Sequence, residues 1–316
     1  MKYLVFFGLA VFAYILSTLD FNVIMNQIDN IEPIYLVLAF FLNIPMVYFK
    51  SYRWKQILKK QGSNISLLKS FEYYMSSLYL GFITPGRIGE FSKVLYIKES
   101  NRTNEYGSIF SSVVLDRLFD LYLLVMLTVI GFIYLSLNID IKYIVIFFSI
   151  FFILPFVVIK TNILLVILNK IASKLSNKFQ EKTTLFIDSF TNSFKSVLSL
   201  KNLSLFSVLT VLSYIVFFTQ AYLISLSLSM SLSFIALTLI MAISNTISLL
   251  PISISGIGTR DIILIYFLTP LGFSSELSVL FSTLVLLVFF IGCAIFGFIF
   301  TFRNPVNLNM LKVKND

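Results

Sequence analysis

The chain has 316 residues, of which 58% are hydrophobic and only 12% charged, and its mean hydropathy is +0.93. Soluble proteins carry roughly a quarter charged residues, so this composition predicts a polytopic all-α membrane protein. Lys and Arg outnumber Asp and Glu by 24 to 15, which in a membrane protein favours topology signals and anionic headgroups as partners over nucleic acid. With no histidine and one cysteine, Cys293, the sequence excludes disulfides within the chain, Cys/His metal sites and histidine-based triads, and it indicates no cofactor.

The first two predicted membrane spans, residues 3–19 and 34–49, are separated by an acidic loop. That loop carries Asp20, Asp29 and Glu32 but no Lys or Arg. The segment after residue 49 is basic, with Lys50, Arg53, Lys55, Lys59, Lys60 and Lys69. The positive-inside rule therefore predicts a cytoplasmic N-terminus in a multi-pass plasma-membrane protein.

Residues 65–82 are amphipathic and end in the sequence Thr84-Pro85-Gly86-Arg87-Ile88-Gly89-Glu90. Pro85, Gly86 and Gly89 predict that the helix breaks here and that a new helix begins near Arg87. Unpaired backbone N–H groups beside a guanidinium would suit an anion. A re-entrant hairpin that enters from the cytoplasm fits the flanking charges; a flat interfacial helix and a plain cytoplasmic turn are the alternatives.

The third predicted span runs from about residue 111 to about residue 137 and carries charged residues at its start. Asp116 and Asp120 lie on one helical face, with Arg117 beside that face. A buried carboxylate without a partner is costly in a membrane, so these side chains are expected to find cations in protein or water. Snorkelling to the cytoplasmic interface is the alternative.

Residues 143–159 are predicted to cross back, and residues 160–202 are rich in lysine with apolar residues at helical spacing. The second stretch therefore predicts a cytoplasmic loop with amphipathic helices, whose lysines need no ligand. Two more spans follow at residues 203–228 and 232–250, and the second of them carries Asn245.

A second broken segment contains Pro251, Gly256, Gly258, Arg260 and Asp261. It precedes a short helix at 262–268, a last span at 277–302 and a basic tail at 303–316 that predicts a cytoplasmic C-terminus. The whole chain is thus predicted to be one membrane domain with about seven spans and two re-entrant or broken segments.

The two broken segments resemble each other, since each couples Pro and Gly to an Arg and an acid. Paired Gly/Pro interruptions in the two halves of a transporter point to its binding site and suggest an internal pseudo-repeat. We therefore predict that these charged side chains bind the substrate. They are Arg87, Glu90, Asp116, Arg117, Asp120, Arg260 and Asp261, with hinges at Pro85, Gly86, Gly89, Pro251, Gly256 and Gly258.

The same motifs carry a family resemblance that spans almost the whole chain. Tyr52-Arg53-Trp54, the 84–90 segment, Asp116-Arg117-Leu118-Phe119-Asp120 and the 251–261 segment resemble the flippase-like transmembrane family. That family includes the membrane half of lysylphosphatidylglycerol synthase, also called multiple peptide resistance factor. Two mild departures are Asp116, where the family usually has Glu, and Ser255-Gly256, where it usually has Gly-Gly.

The resemblance implies movement of a lipid with an anionic, phosphate-bearing, sugar or polyprenyl-phosphate headgroup between leaflets. The synthase carries a soluble aminoacyl-transferase domain after its membrane region, so lysyl transfer is not expected from this chain, and we expect it not to be an enzyme. A membrane glycosyltransferase using Glu90, Asp116 and Asp120 is one alternative. Each of these acids has an Arg within three residues, which favours ion pairing over metal binding. A scaffold for a separately encoded transferase is the other alternative.

Overall fold

The computed structural model of this chain describes residues 4–82, 84–100, 105–135, 177–249, 253 and 255–303. Every regular element among these residues is helical, which confirms the predicted all-α membrane class. The predicted span at 143–159, the 160–176 part of the lysine-rich loop, Pro251 and the tail beyond residue 303 lie outside the described residues.

The first half of the described chain consists of short and long helices with abrupt changes of direction. The α-helices are α1 (Leu4–Thr18), α2 (Phe21–Asp29), α3 (Pro33–Phe41), α4 (Asn43–Lys60), α5 (Leu67–Phe82), α6 (Lys93–Ser100) and α7 (Tyr106–Tyr134). Helices α1 and α2 meet at 85°. The Asp20 carboxylate caps α2 by accepting a hydrogen bond from the backbone N–H of Asn22, which satisfies a donor left free at the helix start.

The second half contains three longer helices and two shorter ones, which lie between the second and the third of the longer helices in the chain. They are α8 (Asn177–Val197), α9 (Leu200–Ser227), α10 (Phe234–Ser248), α11 (Thr259–Leu268) and α12 (Ser275–Arg303). Side-chain caps by Ser199 and Ser233 begin α9 and α10. A 3₁₀-helix, Thr269–Leu271, follows α11, and Gly272 ends it in the left-handed conformation that glycine adopts at low cost.

Three helical stretches among the described residues are long and apolar enough to cross a membrane: Pro33–Lys60, α9 and α12. The bent pair α1 and α2 gives a fourth if it counts as one span. Helix α7 has 29 residues, or about 43 Å at 1.5 Å per residue, and carries the charged residues that the sequence singled out. The total of about seven spans stays a prediction.

The predicted C-terminal end of the second span was wrong, because the helix does not stop at residue 49. Helix α4 continues to Lys60 and carries Lys50 and Arg53 on its body rather than in a loop. The helix tolerates these charges because both side chains find carboxylates inside the protein.

Helices of the two halves pack against one another in pairs. Helix α12 lies along α5, where a Cβ on Gly297 would overlap the Met75 carbonyl. Helix α10 lies along α7, and the hydroxyls of Thr128 and Thr246 are 2.7 Å apart. Helix α9 contacts α3 through Gln220, whose amide donates to the Ala39 carbonyl at 2.8 Å. The halves therefore interleave around a shared core instead of forming separate bundles.

Helix α8 makes up most of the described part of the lysine-rich loop, and its apolar face packs on protein. Ser193 on α8 donates to Ser108 at the start of α7, at 2.8 Å. The Gln61 amide donates to the Ser193 carbonyl at 3.3 Å. Ile187, Phe194 and Val197 are buried. This contact places α8 at the same end of the molecule as the C-terminus of α4.

The first predicted break is present, but the α-helix resumes later than expected. A 3₁₀-helix, Pro85–Ser92, separates α5 from α6, so the new α-helix begins at Lys93 and not near Arg87. Arg87 has φ 56°, a left-handed conformation that an α-helix cannot contain. A Cβ on Gly89 would overlap the Leu80 carbonyl, so the returning segment lies directly against α5 because this residue has no side chain.

The second break contacts the first. Gly256 and Gly258 have φ 83° and 84°, and the turn they form leads into α11. Ser255, with φ 52°, donates a hydrogen bond to the Phe82 carbonyl at the end of α5, at 2.7 Å. This bond occupies a carbonyl that the end of α5 leaves without a helical partner. The two Gly-containing interruptions therefore meet in space.

Candidate substrate cavity

A cavity of about 510 Å³ lies between the broken segments and helices α4, α7, α9, α10 and α12. Its charged lining consists of Lys50, Arg87, Glu90, Arg117, Asp120 and Arg260. Leu121, Val285 and Phe289 belong to its extensive apolar lining. Cavities of this size hold small ligands or the headgroup of a larger one, and a charged region within apolar walls suits an amphiphile.

Asp116, behind the cavity, is enclosed by cations. Arg53 and Lys93, like Asp116 itself, are fully buried. The Arg53 Nε donates to Asp116 Oδ1 at 2.9 Å, and Lys93 Nζ donates to Oδ2 at 2.9 Å. The Tyr74 hydroxyl donates to the same Oδ2 at 2.9 Å. Buried carboxylates are stable only when they are paired and hydrogen-bonded in this way.

Asp120 lies one turn along α7 from Asp116 and joins the same network to the cavity. Its Oδ1 accepts a hydrogen bond from Arg53 Nη1 at 2.8 Å, and its Oδ2 accepts one from Lys50 Nζ at 2.6 Å. The Lys50 ammonium also lies 4.5 Å from the centroid of the Tyr214 ring, a favourable cation–π distance. The carboxylates have therefore found cations within the protein, as the sequence predicted, and they do not snorkel.

The third acid, Glu90, forms an ion pair with Arg117. This pair joins the first broken segment to α7. The Glu90 side chain is 2% exposed and that of Arg117 is 22% exposed, so the pair is shielded on one side and open to the cavity on the other. The pairings of all three acids are thus long-range and leave Arg87 without the carboxylate nearest to it in sequence.

Asp261 acts on its own helix and not on the cavity. Its Oδ2 accepts a hydrogen bond from the Gly258 backbone N–H at 2.7 Å, which caps the N-terminus of α11. Its Oδ1 accepts a short hydrogen bond from the Ser282 hydroxyl. Ser282 in turn accepts a hydrogen bond from Arg260 Nε at 2.9 Å. Asp261 therefore fixes the orientation of Arg260 through one hydroxyl.

Arg87 and Arg260 are the two cations of the lining without an acidic partner. Among the residues that the structure describes, neither guanidinium has a carboxylate oxygen within 4.0 Å. Arg87 lies over the Phe82 ring, with its Cζ 5.6 Å from the ring centroid. One guanidinium from each broken segment thus lines the cavity without a direct carboxylate partner in the described part of the chain.

The structure brings five of the seven predicted binding residues to one cavity. Arg87, Glu90, Arg117, Asp120 and Arg260 line it, whereas Asp116 and Asp261 lie behind the lining. Two backbone donors at the first break are already used. The N–H of Gly89 donates to Thr84 Oγ1 at 2.7 Å, and that of Arg87 donates to the Thr84 carbonyl at 3.2 Å. The Arg87 guanidinium is therefore what this segment offers an anion.

Lys50, Arg53 and Lys93 belong to this network but were not among the predicted site residues. In the sequence they lie in basic stretches that are typical of a topology signal. Lys50 and Arg53 are three residues apart and so share a face of α4, just as Asp116 and Asp120 share a face of α7. The available signal was that two cations on one helix and two acids on another each lie about one helical turn apart.

The carboxylates that the structure describes do not gather into a metal-binding group. Within the described ranges, no three acidic or sulfur-containing side chains come together as ligands for one ion. Glu90, Asp116 and Asp120 each contact Arg or Lys instead. Cys293 is buried in the apolar core near α5.

Comparison with known proteins gives a match over nearly the whole chain. The family model described as the lysylphosphatidylglycerol synthase TM region matches residues 2–297. The UPF0104 membrane protein MJ1595 of Methanocaldococcus jannaschii is 27% identical over 308 residues, which cover 93% of this chain and 90% of that protein. The UPF0104 membrane protein PH1989 of Pyrococcus horikoshii is 29% identical over 114 residues, which cover 35% of this chain and 34% of the relative's length.

Proposed function

This chain belongs to the lysylphosphatidylglycerol synthase TM region family, and from that premise we propose that it is a lipid flippase for a lipid with a phosphate-bearing or glycosylated headgroup. One observation carries the proposal. Arg87 and Arg260, from the two broken segments, line one cavity, and neither has a carboxylate partner among the described residues. A guanidinium holds a phosphate through two parallel hydrogen bonds, which suits both residues to a headgroup.

The rest of the cavity supports an amphiphilic substrate. A charged headgroup that crosses the bilayer alone loses its hydration, at a cost of at least about 2.5–3.5 kcal/mol for one charge at the membrane centre on the lower scales. Polar groups of the cavity replace that water, while the acyl chains stay against apolar surface or lipid. Leu121, Val285 and Phe289 supply part of the apolar lining.

The ion pairs of the lining provide a means of release. In each of the pairs Lys50–Asp120 and Arg117–Glu90, the cation and the carboxylate neutralise each other when the site is empty. When phosphate binds, Lys50 or Arg117 exchanges its carboxylate for the ligand, and the carboxylate later competes for the cation again. Binding therefore stays reversible, as transport requires. Rocking of the interleaved halves about the two broken segments then alternates access between leaflets.

A liposome assay tests the proposal. Purified protein should speed the loss of a fluorescent phospholipid or polyprenyl-phosphate analogue from one leaflet, and Arg87→Ala combined with Arg260→Ala should abolish that gain. Lys182→Ala with Lys201→Ala is the matched control, since both lysines are exposed and lie outside the cavity lining. If the wild-type protein and the Arg87/Arg260 variant move every lipid tried at the same rate, the flippase proposal fails and the scaffold alternative takes its place.

A further inference from the structure

The cavity lining carries more positive than negative charges, and this excess constrains the charge of the headgroup that it can bind. The lining holds the four cations Lys50, Arg87, Arg117 and Arg260 and the two carboxylates Glu90 and Asp120. Behind it, Arg53 and Lys93 both pair with Asp116, and Asp261 is joined to Arg260 through the Ser282 hydroxyl. The second layer adds two cations and two acids, so the excess of two positive charges is the same with or without it. In the lining, this excess corresponds to Arg87 and Arg260, the two guanidinium groups that have no carboxylate within 4.0 Å in the described part of the chain.

An excess of two charges in a cavity with low-dielectric walls is best neutralised by a ligand that carries two negative charges. A phosphate monoester carries about −1.5 to −2 at pH 7, because its second pKa is about 6. A phosphodiester carries one negative charge and would leave one guanidinium unpaired. A monoester also has three terminal oxygens, enough for two guanidinium groups to bind at once.

Asn245 adds an independent observation that points to an anion. Its side chain lines the same cavity, and its Nδ2 is buried with no hydrogen-bond partner in the described part of the chain. A buried donor without a partner is unfavourable. A ligand that brings hydrogen-bond acceptors satisfies it, and a fully ionised phosphate has only acceptor oxygens and no competing O–H donor.

We infer that the headgroup bound between Arg87, Arg260 and Asn245 is a doubly charged phosphate monoester, not a phosphodiester. This inference rests on the proposed function and narrows its substrate class. The apolar lining favours a monoester attached to a lipid over a free phosphate ester. The lipid monoester and the free phosphate ester share the same phosphate chemistry, and they differ in whether acyl chains contribute to binding.

Isothermal titration of the full-length protein in detergent tests the inference with three probes. They are dihexanoyl phosphatidic acid, a monoester lipid; dihexanoyl phosphatidylglycerol, a diester lipid with the same chains; and glycerol 3-phosphate, a monoester without chains. At pH 8 the monoester lipid should bind at least tenfold more tightly than the diester, and also more tightly than glycerol 3-phosphate. Equal affinities for the two monoesters would overturn the lipid as the source and leave the phosphate chemistry in place.

Three variants separate charge from hydrogen bonding. Arg87→Gln and Arg260→Gln should each reduce the preference for the monoester to less than threefold, since each leaves a single excess charge. Asn245→Leu should weaken both lipids by a similar factor, because a neutral donor does not distinguish one charge from two. Lys182→Gln, an exposed control on α8, should bind like the wild type.

The pH dependence of the wild-type protein gives a test that needs no variant. From pH 8 to pH 5 the monoester loses its second charge, so its preference over the diester should fall to about one. The groups that face the ligand are those of Lys50, Tyr74, Arg87, Glu90, Arg117, Asp120, Tyr214 and Arg260. The sequence has no histidine, the side chain that ordinarily titrates in this range.

The outcomes distinguish this inference from the flippase proposal. A diester that binds as tightly as the monoester at pH 8, or a preference that does not change with pH, would overturn the monoester inference even if the liposome assay shows lipid movement. Lipid movement with no measurable monoester binding would overturn it as well. A monoester preference in a protein that moves no lipid would support the binding site and contradict the flippase.

Discussion

Arg53 is the residue on which the buried charges depend. Its guanidinium is fully buried and donates hydrogen bonds to the Asp116 side chain, the Asp116 backbone carbonyl, Asp120 and Thr210, at 2.6–2.9 Å. A buried ion pair contributes little compared with a well-packed apolar pair, but removal of one partner leaves an uncompensated charge. Arg53 thus supplies hydrogen bonds and a positive charge to two carboxylates in the protein interior.

Arg53→Met should therefore destabilise the protein strongly although Arg53 does not line the cavity. We expect a loss of about 3–5 kcal/mol, the usual cost of breaking a buried pair from one side. Thermal unfolding of the detergent-purified protein measures it. Lys59→Met on the same helix is exposed and should change stability by no more than about 0.5 kcal/mol. Equal unfolding temperatures for the two variants would contradict the role assigned to Arg53.

Arg87 should act through its geometry as well as its charge. Lys offers phosphate a point charge, whereas the guanidinium offers two parallel donors. Arg87→Lys keeps the positive charge, and Lys has the same backbone preference as Arg at φ 56°. The protein should therefore fold normally and lose most of its lipid movement in the liposome assay. Arg87→Lys with wild-type transport would remove the phosphate-binding role from this residue.

The residues that the sequence singled out were those beside Pro or Gly or within an apolar span. Arg87, Glu90, Arg117, Asp120 and Arg260 were found in that way, because a charge in an apolar span needs a reason. Lys50 and Lys93 were not, because a basic stretch at a span end already has a sufficient explanation in topology. The sequence indicated that each acid pairs with a cation but not which one, since sequence distance does not show which helices pack together.

At the level of elements, the two broken segments form one structural unit. Ser255 in the second break donates to the last described carbonyl of α5, and it does so with φ 52°. Glycine adopts that conformation at no steric cost, and other residues do so at about 1–2 kcal/mol. This explains why a Gly-Gly pair suits the position. In this chain the hydrogen bond to Phe82 offsets the strain of Ser255.

Substitutions at Ser255 should reveal this balance. Ser255→Ala keeps the strained conformation and loses the hydrogen bond, so it should destabilise the protein by about 1–2 kcal/mol. Ser255→Gly loses the same bond but relieves the strain, so its stability should stay within about 1 kcal/mol of the wild type. Denaturant unfolding compares the two variants. If the glycine variant is as unstable as the alanine variant, backbone strain does not matter at this position.

The breaks themselves were predictable because Pro and Gly act locally on the backbone. Their conformation was not, since the 3₁₀-helix of Pro85–Ser92 depends on the close approach of Gly89 to Leu80. Helix α4 was predicted too short for a similar reason. Hydropathy ends a span at the first charged residue, whereas Lys50 and Arg53 remain on the helix because distant carboxylates neutralise them.

At the scale of the whole molecule, the contacts at the two ends of α9 show which loops lie on the same side of the molecule. Its 28 residues extend for about 42 Å at 1.5 Å per residue, enough to cross a bilayer. The Ser227 carbonyl at one end accepts a hydrogen bond from the Glu32 backbone N–H at 3.0 Å. Leu200 at the other end follows α8, which contacts Gln61. Asn30 therefore lies opposite Asn64 and Asn192.

Single-cysteine labelling tests the orientation of this arrangement in the membrane. Cys293 is the one cysteine of the sequence and is buried, so Cys293→Ser provides a background without thiols. Asn30, Asn64 and Asn192 are all exposed. In intact cells Asn30→Cys should react with a membrane-impermeant thiol reagent, because its acidic loop is expected outside. Asn64→Cys and Asn192→Cys should react only after the cells are opened, because the basic segments near them favour the cytoplasm. Labelling of the last two from outside, with Asn30→Cys protected, would invert the orientation and leave the fold intact. Different sides for Asn64→Cys and Asn192→Cys would contradict the contact between α8 and the end of α4.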